Sequence, residues 1–448
     1  MRLHFKKVFP ILLLILCLFL TVYYLPKLIL DLRKSAAGFP ANILVDVQSS
    51  GTKISPSLWQ NIAQGGEEAT DMIGPVVPEL KDLHPQLIRL DHLFDFYKVD
   101  QGNGQYDFSR LDKTVDSILA TGAIPMLSLS YTPDSKAPAD WTQWFNLVSA
   151  TAHHYSVDKK TDGIYYEVWN EPDLFGGWHY NKDPNYSTLY IKTAQAVATG
   201  AGNAQYKIGG PATTAYYGNW IKSLFKTATD NHLRLDFVSW HQYSTSISDY
   251  TNDFDNLNQI LSDYPQYFNI ERLITEVGPN SEPDSSYDSA QSGVHLISLV
   301  TQLYGKIHRI FTFEAVDGPS PRSDKSTGWG ILTHDQKPKP RYFAIQFLNQ
   351  LQGQQLSSSG DGSWVTSLSS KNGPVIQTLV VNYDPNNSHV ETVPITFQGL
   401  TPGKYQLKTT QYLGKTTSKT FTIPTTTYTE NLYLDSNTAY LLELQMLQ

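Results

Sequence analysis

The apolar positions of this chain fall into short continuous runs set far apart. Strand-like runs occupy Trp59–Ile62, Leu87–Leu90, Ile124–Leu129, Ile164–Trp169, Lys207–Gly210, Phe237–Trp240, Leu273–Glu276 and Ile310–Phe313. Short apolar, β-branched and aromatic runs bounded by polar turns read as strands buried on both faces. Helical periodicity fills gaps between them, as at Leu111–Ala120, Trp141–Tyr155, Ser187–Ala201 and Val294–Tyr304. Strand, crossover helix and parallel strand, repeated eight times, predict an α/β fold of the (β/α)8 TIM-barrel type over residues 42–350. A doubly wound sheet is the competitor, but no glycine-rich phosphate turn follows the first strand. Gln101-Gly102-Asn103-Gly104 lacks the third glycine of such a motif and reads as a plain turn.

Beyond the last predicted helix, Arg341–Leu348, the pattern changes. Ser357–Gly362 reads as a polar turn cluster. Short alternating runs then follow at Trp364–Leu368, Val375–Tyr383, Val390–Phe397, Tyr405–Gln411, Ser418–Ile423 and Ala439–Leu444. Such threonine-rich, turn-punctuated alternation predicts a β-sandwich over 354–448. The run Ile43–Val47 precedes the first barrel strand and is a candidate to pair with that sandwich.

At the other end, Val8–Leu25 is almost wholly apolar behind a basic start. A stretch of about 20 apolar residues spans a bilayer, so residues 1–35 are expected to form an N-terminal transmembrane helix. A cleaved signal peptide is the alternative, with Ser35-Ala36-Ala37 a weak cleavage site. The expected location is the cell membrane, single-pass, with the body extracytoplasmic; a secreted form is the alternative.

The net charge is −8. The first 35 residues carry six Lys and Arg against one Asp, which leaves the remainder at −13. An acidic body argues against nucleic acid as partner. The only cysteine, Cys17, lies in the apolar run, so the body has no disulfide and no thiolate metal site. No Gly-x-Ser-x-Gly elbow and no His-Glu-x-x-His zinc motif occurs, and the adjacent His153 and His154 would point apart on a helix.

Chemistry concentrates where strands end. The fourth run closes in Trp169-Asn170-Glu171-Pro172, a carboxylate and a carboxamide at the mouth end of a barrel strand, where barrel enzymes carry their sites. Cleaving a glycosidic bond needs an acid for the leaving oxygen and a second carboxylate across the anomeric carbon. Glu171 is the candidate acid/base, and Asn170 a donor to the sugar 2-hydroxyl. The seventh run stops at Glu276, and strands four and seven face each other across a barrel mouth. That predicts a carboxylate separation of about 5 Å, the spacing of a retaining enzyme with Glu276 as nucleophile. Glu282 and Glu314 are its nearest competitors.

His241 ends the sixth run and is a candidate contact of Glu276 or substrate, with Tyr243 beside it as a holder of the nucleophile. Arg89 is a candidate partner of Glu276, with a purely structural ion pair as its alternative. His92 is a candidate ligand of a sugar hydroxyl, and Trp178 and Trp329 are candidate stacking platforms, with core filling the alternative for each. This chemistry needs no cofactor and no metal.

At these residues the chain resembles glycoside hydrolase family 39. Tyr166–Leu174 is similar to that family's acid/base segment, Leu235–Tyr243 to its sixth strand and Leu273–Glu276 to its nucleophile segment. Pro125–Ser130 is similar to its third strand, and Gly330–Thr333 with Lys339–Tyr342 to its run into the last helix. The resemblance covers residues 42–350, and it implies the family's accessory β-sandwich beyond them. It implies retaining hydrolysis, best known on β-xylosides, with an oligosaccharide or polysaccharide as substrate. The chain departs from the xylosidase pattern at Val277-Gly278-Pro279 and at Phe313–Asp317, which leaves the sugar open. Two other expectations stand beside a β-xylosidase-like enzyme. One is an endo-acting hydrolase of surface polysaccharide; the other is a non-catalytic carbohydrate-binding envelope protein.

Overall fold

A computed structural model describes residues 38–319 and 328–447. After β1 (Ile43–Asp46), eight parallel strands close into a barrel: β2 (Asn61–Gln64), β3 (Leu87–Leu90), β4 (Ile124–Ser128), β5 (Ile164–Glu167), β6 (Tyr206–Thr213), β7 (Phe237–Tyr243), β8 (Glu271–Gly278) and β9 (Arg309–Phe313). Ile62 opposite Thr312 and Ala63 opposite Phe313 join the last strand to the first. Helices of the crossovers include α1 (Val77–Asp82), α2 (Ser109–Thr121), α3 (Trp141–His153), α4 (Tyr186–Ala201), α5 (Gly218–Asp230), α6 (Ile247–Ser262) and α7 (Ala290–Leu303). The last helix, α8 (Pro340–Leu348), follows β9.

Strand alternation builds two cores. Leu87, Met126, Tyr165, Phe237, Leu273 and Phe311 pack with one another inside the barrel. Their neighbours Ile88, Leu127, Tyr166, Val238, Ile274 and Ile310 pack outward against the helices. Burial on both faces is why these strands read as continuous apolar runs. The helices show the matching stripe: α2 buries Leu111, Val115 and Ile118 and stops at Gly122, whose φ of 93° suits glycine. Asp140 caps α3 by accepting from the amides of Thr142 and Gln143.

The rest forms one nine-stranded sheet from β10 (Gln354–Ser359), β11 (Val365–Asn372), β12 (Val375–Asn382), β13 (Glu391–Gln398), β14 (Gly403–Gln411), β15 (Thr416–Ile423), β16 (Thr427–Leu434), β17 (Thr438–Met446) and β1. β1 runs antiparallel to β10 and parallel to β13. Val45, Val393 and Phe397 share an apolar core with Val380, Leu407 and Leu442, from strands several places away in the sheet order. The sheet therefore curls over on itself into two facing layers, a sandwich. Because β1 belongs to it, the sandwich takes strands from before the barrel as well as after it.

Most predicted runs coincide with strands, and the differences have physical reasons. The first run lies two residues early: Trp59 precedes β2, fully buried, with its indole donating to Asn349 Oδ1 at 2.8 Å. Gln354–Ser359 is a strand, where Ser357–Gly362 reads as a turn. Leu356 alone in it is fully buried, and the strand exists because its backbone pairs with both β1 and β11. β16, at the sheet edge with alternate residues exposed, has no counterpart in the prediction. The predicted transmembrane segment lies outside the described residues. Among these, no helix is long and apolar enough to cross a membrane.

Candidate active site

The mouth end of the barrel holds a cavity of about 540 Å³ whose lining includes Asn170, Glu171, Glu276, Tyr243, His92 and Trp329. Its floor is organised by Arg89. The inward-facing residue of β3, Arg89 is wholly buried and donates to three acceptors. Nε reaches Glu167 Oε2 at 2.7 Å, Nη1 reaches Glu276 Oε1 at 2.9 Å and Nη2 reaches Asn170 Oδ1 at 2.7 Å. A planar fork of donors holds these three acceptors, from the ends of β5 and β8, at fixed angles, which an ammonium on a flexible stem does less well.

After β5 the backbone leaves strand geometry. Trp169 and Glu171 take left-handed φ values of 70° and 46°, uncommon for non-glycine residues. The first turns the Trp169 ring into the outer core, against Trp144 at 5.7 Å and Trp178 at 5.5 Å. Asn170 is left facing inward, where its amide donates to Tyr131 Oη at 2.7 Å. Glu171 is held by its own amide on Ala212 O at 2.9 Å, and its side chain reaches the cavity.

Glu276 reaches the same cavity through an irregularity in β8. Counting from inward-facing Leu273, strict alternation would aim Glu276 at the helices. Trp240 is opposite Ile274, yet His241 is opposite Glu276, so Thr275 is an extra residue in the ladder. That bulge turns Glu276 inward, a use of bulges typical beside active sites. Tyr243 donates to Glu276 Oε2 at 2.7 Å. His241 Nδ1 lies 3.1 Å from Glu171 Oε1 and 3.4 Å from Glu276 Oε2. One ligand atom each of Glu171, His241 and Glu276 lie within 4.8 Å of one another. These are donor types that can hold a metal, but both Glu276 oxygens already accept from Arg89 and Tyr243.

The charges oppose one another closely. Burial pushes the Glu276 carboxyl up and Glu171 and Asp91 add to the push, while His241 and Arg89 pull it down; the net direction is up. Burial alone would lower His241, but Glu276 and Glu171 outweigh it and raise it. Burial holds the Tyr243 hydroxyl well above its ordinary range, and Glu276 adds to this, so Tyr243 remains a donor.

Of the residues predicted from the sequence, Glu171, Glu276, Asn170, Tyr243, His92 and Trp329 line the cavity. Arg89 and His241 lie beneath it, fully buried, in contact with the carboxylates. His92 also pairs with Asp95 at 2.7 Å. Trp178 is a correction: it is 2% exposed and packs on Trp169 and Trp141 in the outer core, so it offers no stacking face. Glu282 lines the cavity wall. Glu314 is fully buried and accepts from Gln64 Nε2 at 3.0 Å, and burial raises its carboxyl well above the ordinary range.

Glu167 was missed, although a carboxylate inside an apolar strand demands a buried partner. Asp91 was missed too. It lines the cavity, and one of its oxygens has no hydrogen-bond partner.

Comparison with known proteins places this geometry. The sequence model of glycosyl hydrolases family 39 matches residues 83–421. The chain belongs to that family. The match runs past residue 350 into the sandwich. A β-xylosidase of Geobacillus stearothermophilus is 26% identical over 298 residues, covering 57% of this chain and 58% of that protein. A β-xylosidase of Caldicellulosiruptor saccharolyticus is 25% identical, covering 58% and 60%. The chain thus aligns with under two thirds of the length of these curated relatives. Among solved structures, a monomeric β-xylosidase from Caulobacter crescentus superposes with a TM-score of 0.76 at 19% identity, covering 91% of this chain and 100% of that one. A family 39 enzyme from Xanthomonas axonopodis pv. citri gives 0.74 at 21% identity, covering 91% and 98%. At such identity these superpositions speak to the fold.

Proposed function

We propose that this family 39 member is a retaining O-glycosidase of β-xylosidase type. The observation that carries this reading is the pair Glu171 and Glu276, facing across the cavity with carboxylate oxygens within 4.8 Å. Retaining enzymes hold their carboxyl groups about 5–5.5 Å apart, and inverting enzymes about 6.5–9.5 Å, to admit a water. Curated relatives being β-xylosidases supports the choice of sugar.

In the first step Glu276 attacks the anomeric carbon while Glu171 gives its proton to the departing glycosidic oxygen. In the second, Glu171 takes a proton from water, the water oxygen bonds to the anomeric carbon, and Glu276 leaves. Glu276 accepts from Arg89 and Tyr243, and both donors stabilise its charged, attacking form against the upward push of burial. Asn170 is held by Arg89 and Tyr131 and lines the cavity; in this reading it donates to the sugar hydroxyl next to the reacting carbon.

The test is turnover of an aryl β-xyloside by carboxylate variants. Glu276→Ala is expected to lose at least about 10³-fold in kcat, and azide should rescue it with inverted product. Glu171→Ala should be rescued by azide with retained product. Full activity in either variant without azide would sink the assignment.

The sequence alone supports a second part of the proposal: Val8–Leu25 tethers the enzyme to the membrane with its barrel outside the cytoplasm. Recovery of the intact protein in the soluble cytosolic fraction would reject this.

A further inference from the structure

A second cavity, of about 420 Å³, lies where the barrel meets the sandwich. Thr245, Ser246 and Ser248, at the start of α6, form one wall. Gln302 from just before the end of α7 forms another, and Ser363 and Trp364 of the sandwich close it. The size is that of a small-ligand site. Among the described residues no Lys, Arg, Asp or Glu lines it, so it offers no counter-charge to an ionic ligand. What it offers is a set of hydroxyls, one carboxamide and the indole of half-buried Trp364. His389, itself paired with Glu391 at 2.9 Å, abuts that indole at 5.9 Å. Hydroxyl and amide partners beside an aromatic face match a neutral sugar, whose ring has polar edges and an apolar C–H face.

The position of this cavity gives it a role. Tyr243 lines the catalytic cavity and Thr245 lines this one. Two residues of chain span at most about 7 Å, so the two cavities share a rim. That rim is fixed: the Ser244 amide donates to Gly278 O at 3.0 Å, Tyr250 Oη donates to Gly278 O at 2.9 Å, and Tyr383 Oη donates to Thr245 O at 3.0 Å. The last of these bonds comes from the sandwich.

We infer that the junction cavity is a distal glycan-binding site, which holds sugar units of a chain whose reacting end lies at Glu171 and Glu276. This rests on the glycosidase reading and deepens it, because the substrate it implies is an oligosaccharide or polysaccharide rather than a lone glycoside. The sandwich then takes part in substrate binding.

The experiment compares xylohexaose with 4-nitrophenyl β-D-xyloside. Trp364→Ala removes the aromatic face. Ser248→Tyr, at an exposed position, fills the cavity without touching the core. Both variants should lose about tenfold in kcat/KM on xylohexaose, through KM, which is the size of one aromatic contact. Both should stay within about twofold on the aryl xyloside. An unchanged ratio between the two substrates in both variants would overturn the inference. An aryl xyloside left intact by the parent would instead count against the glycosidase reading. Xylohexaose binding measured by calorimetry in a Glu276→Gln background then separates the two: loss of affinity on adding Trp364→Ala supports the distal site, and equal affinity removes it.

Discussion

Arg89 shares one positive charge between two buried carboxylates and fixes the carboxamide of Asn170, which lines the cavity. With that charge divided, Glu276 depends on its other donor, Tyr243. Tyr243→Phe keeps the ring and removes only the hydroxyl bond to Glu276 Oε2. A hydrogen bond to a charged group contributes about 1.5–3 kcal/mol, so kcat should fall about 10- to 100-fold. The pH profile gives a reading that a packing defect would not. Tyr243 donates to the charged form of Glu276, so its loss moves that carboxyl further up in the direction burial already pushes it. With Glu276 as the proposed nucleophile, the acidic limb of kcat/KM reports its ionisation and should shift to higher pH. A fall in kcat with an unmoved limb would show that Tyr243 acts elsewhere. Legibility at this scale was uneven. Glu171 stood out because a proline stops its strand behind it. Glu276 stood out as a strand end, yet its inward aim depends on the Thr275 bulge, which no alternation pattern announces. Trp178 misled because a tryptophan near a loop looks the same in sequence whether it faces a sugar or another tryptophan.

At the scale of elements, strands carry the site and helices hold the strands. α6 packs on β7, the strand of His241 and Tyr243, through Asp253, whose Oδ2 accepts from the Trp240 indole at 3.1 Å. Burial raises Asp253 to about 7, and nearby Asp249 adds to the shift. The folded-state value lies above the unfolded one, so folding favours the protonated acid. Its stabilisation is complete below about pH 4 and fades as pH rises to about 7. Asp253→Asn keeps an acceptor for the indole and removes the titration. The variant should melt a few degrees higher than the parent at pH 8 and no higher at pH 4, as scanning calorimetry would record. Equal melting points at pH 8 would mean that Asp253 ionises there without cost. Barrel strands and amphipathic helices were legible because burial on two faces, or on one stripe, writes a period into the sequence. β10 and β16 were not, because polar strands owe their existence to backbone pairing with neighbours far along the chain.

Taken whole, the barrel and the sandwich are not separable pieces. Leu368, Leu379, Val381 and Tyr412 of the sandwich belong to the same apolar cluster as the barrel helices. Tyr412 Oη donates to Pro340 O at 2.6 Å, and Gln291 Nε2 to Pro385 O at 2.9 Å. β1, N-terminal to the barrel, is an inner strand of the sandwich sheet. Two predictions follow from this interlocking. The full body should unfold in one calorimetric transition, and a chain ending near Leu351 should be insoluble, since β1 and the outer face of α7 would lose their cover. Two well-separated transitions, or a soluble and active truncated barrel, would contradict the shared core. His295 of α7 marks the seam, donating through Nε2 to Ser244 O at 2.9 Å and packing on Tyr383 of the sandwich at 5.3 Å. Burial lowers it to about 4. Its folded value lies below the unfolded one, so its contribution is complete above about pH 6.5 and is lost as pH falls toward 4. Acid should therefore lower the melting point of the whole body over that range, and it should do so less in His295→Gln, which has no proton to gain. A parent and variant with the same acid slope would free the seam of this role and leave the loss to carboxylates elsewhere.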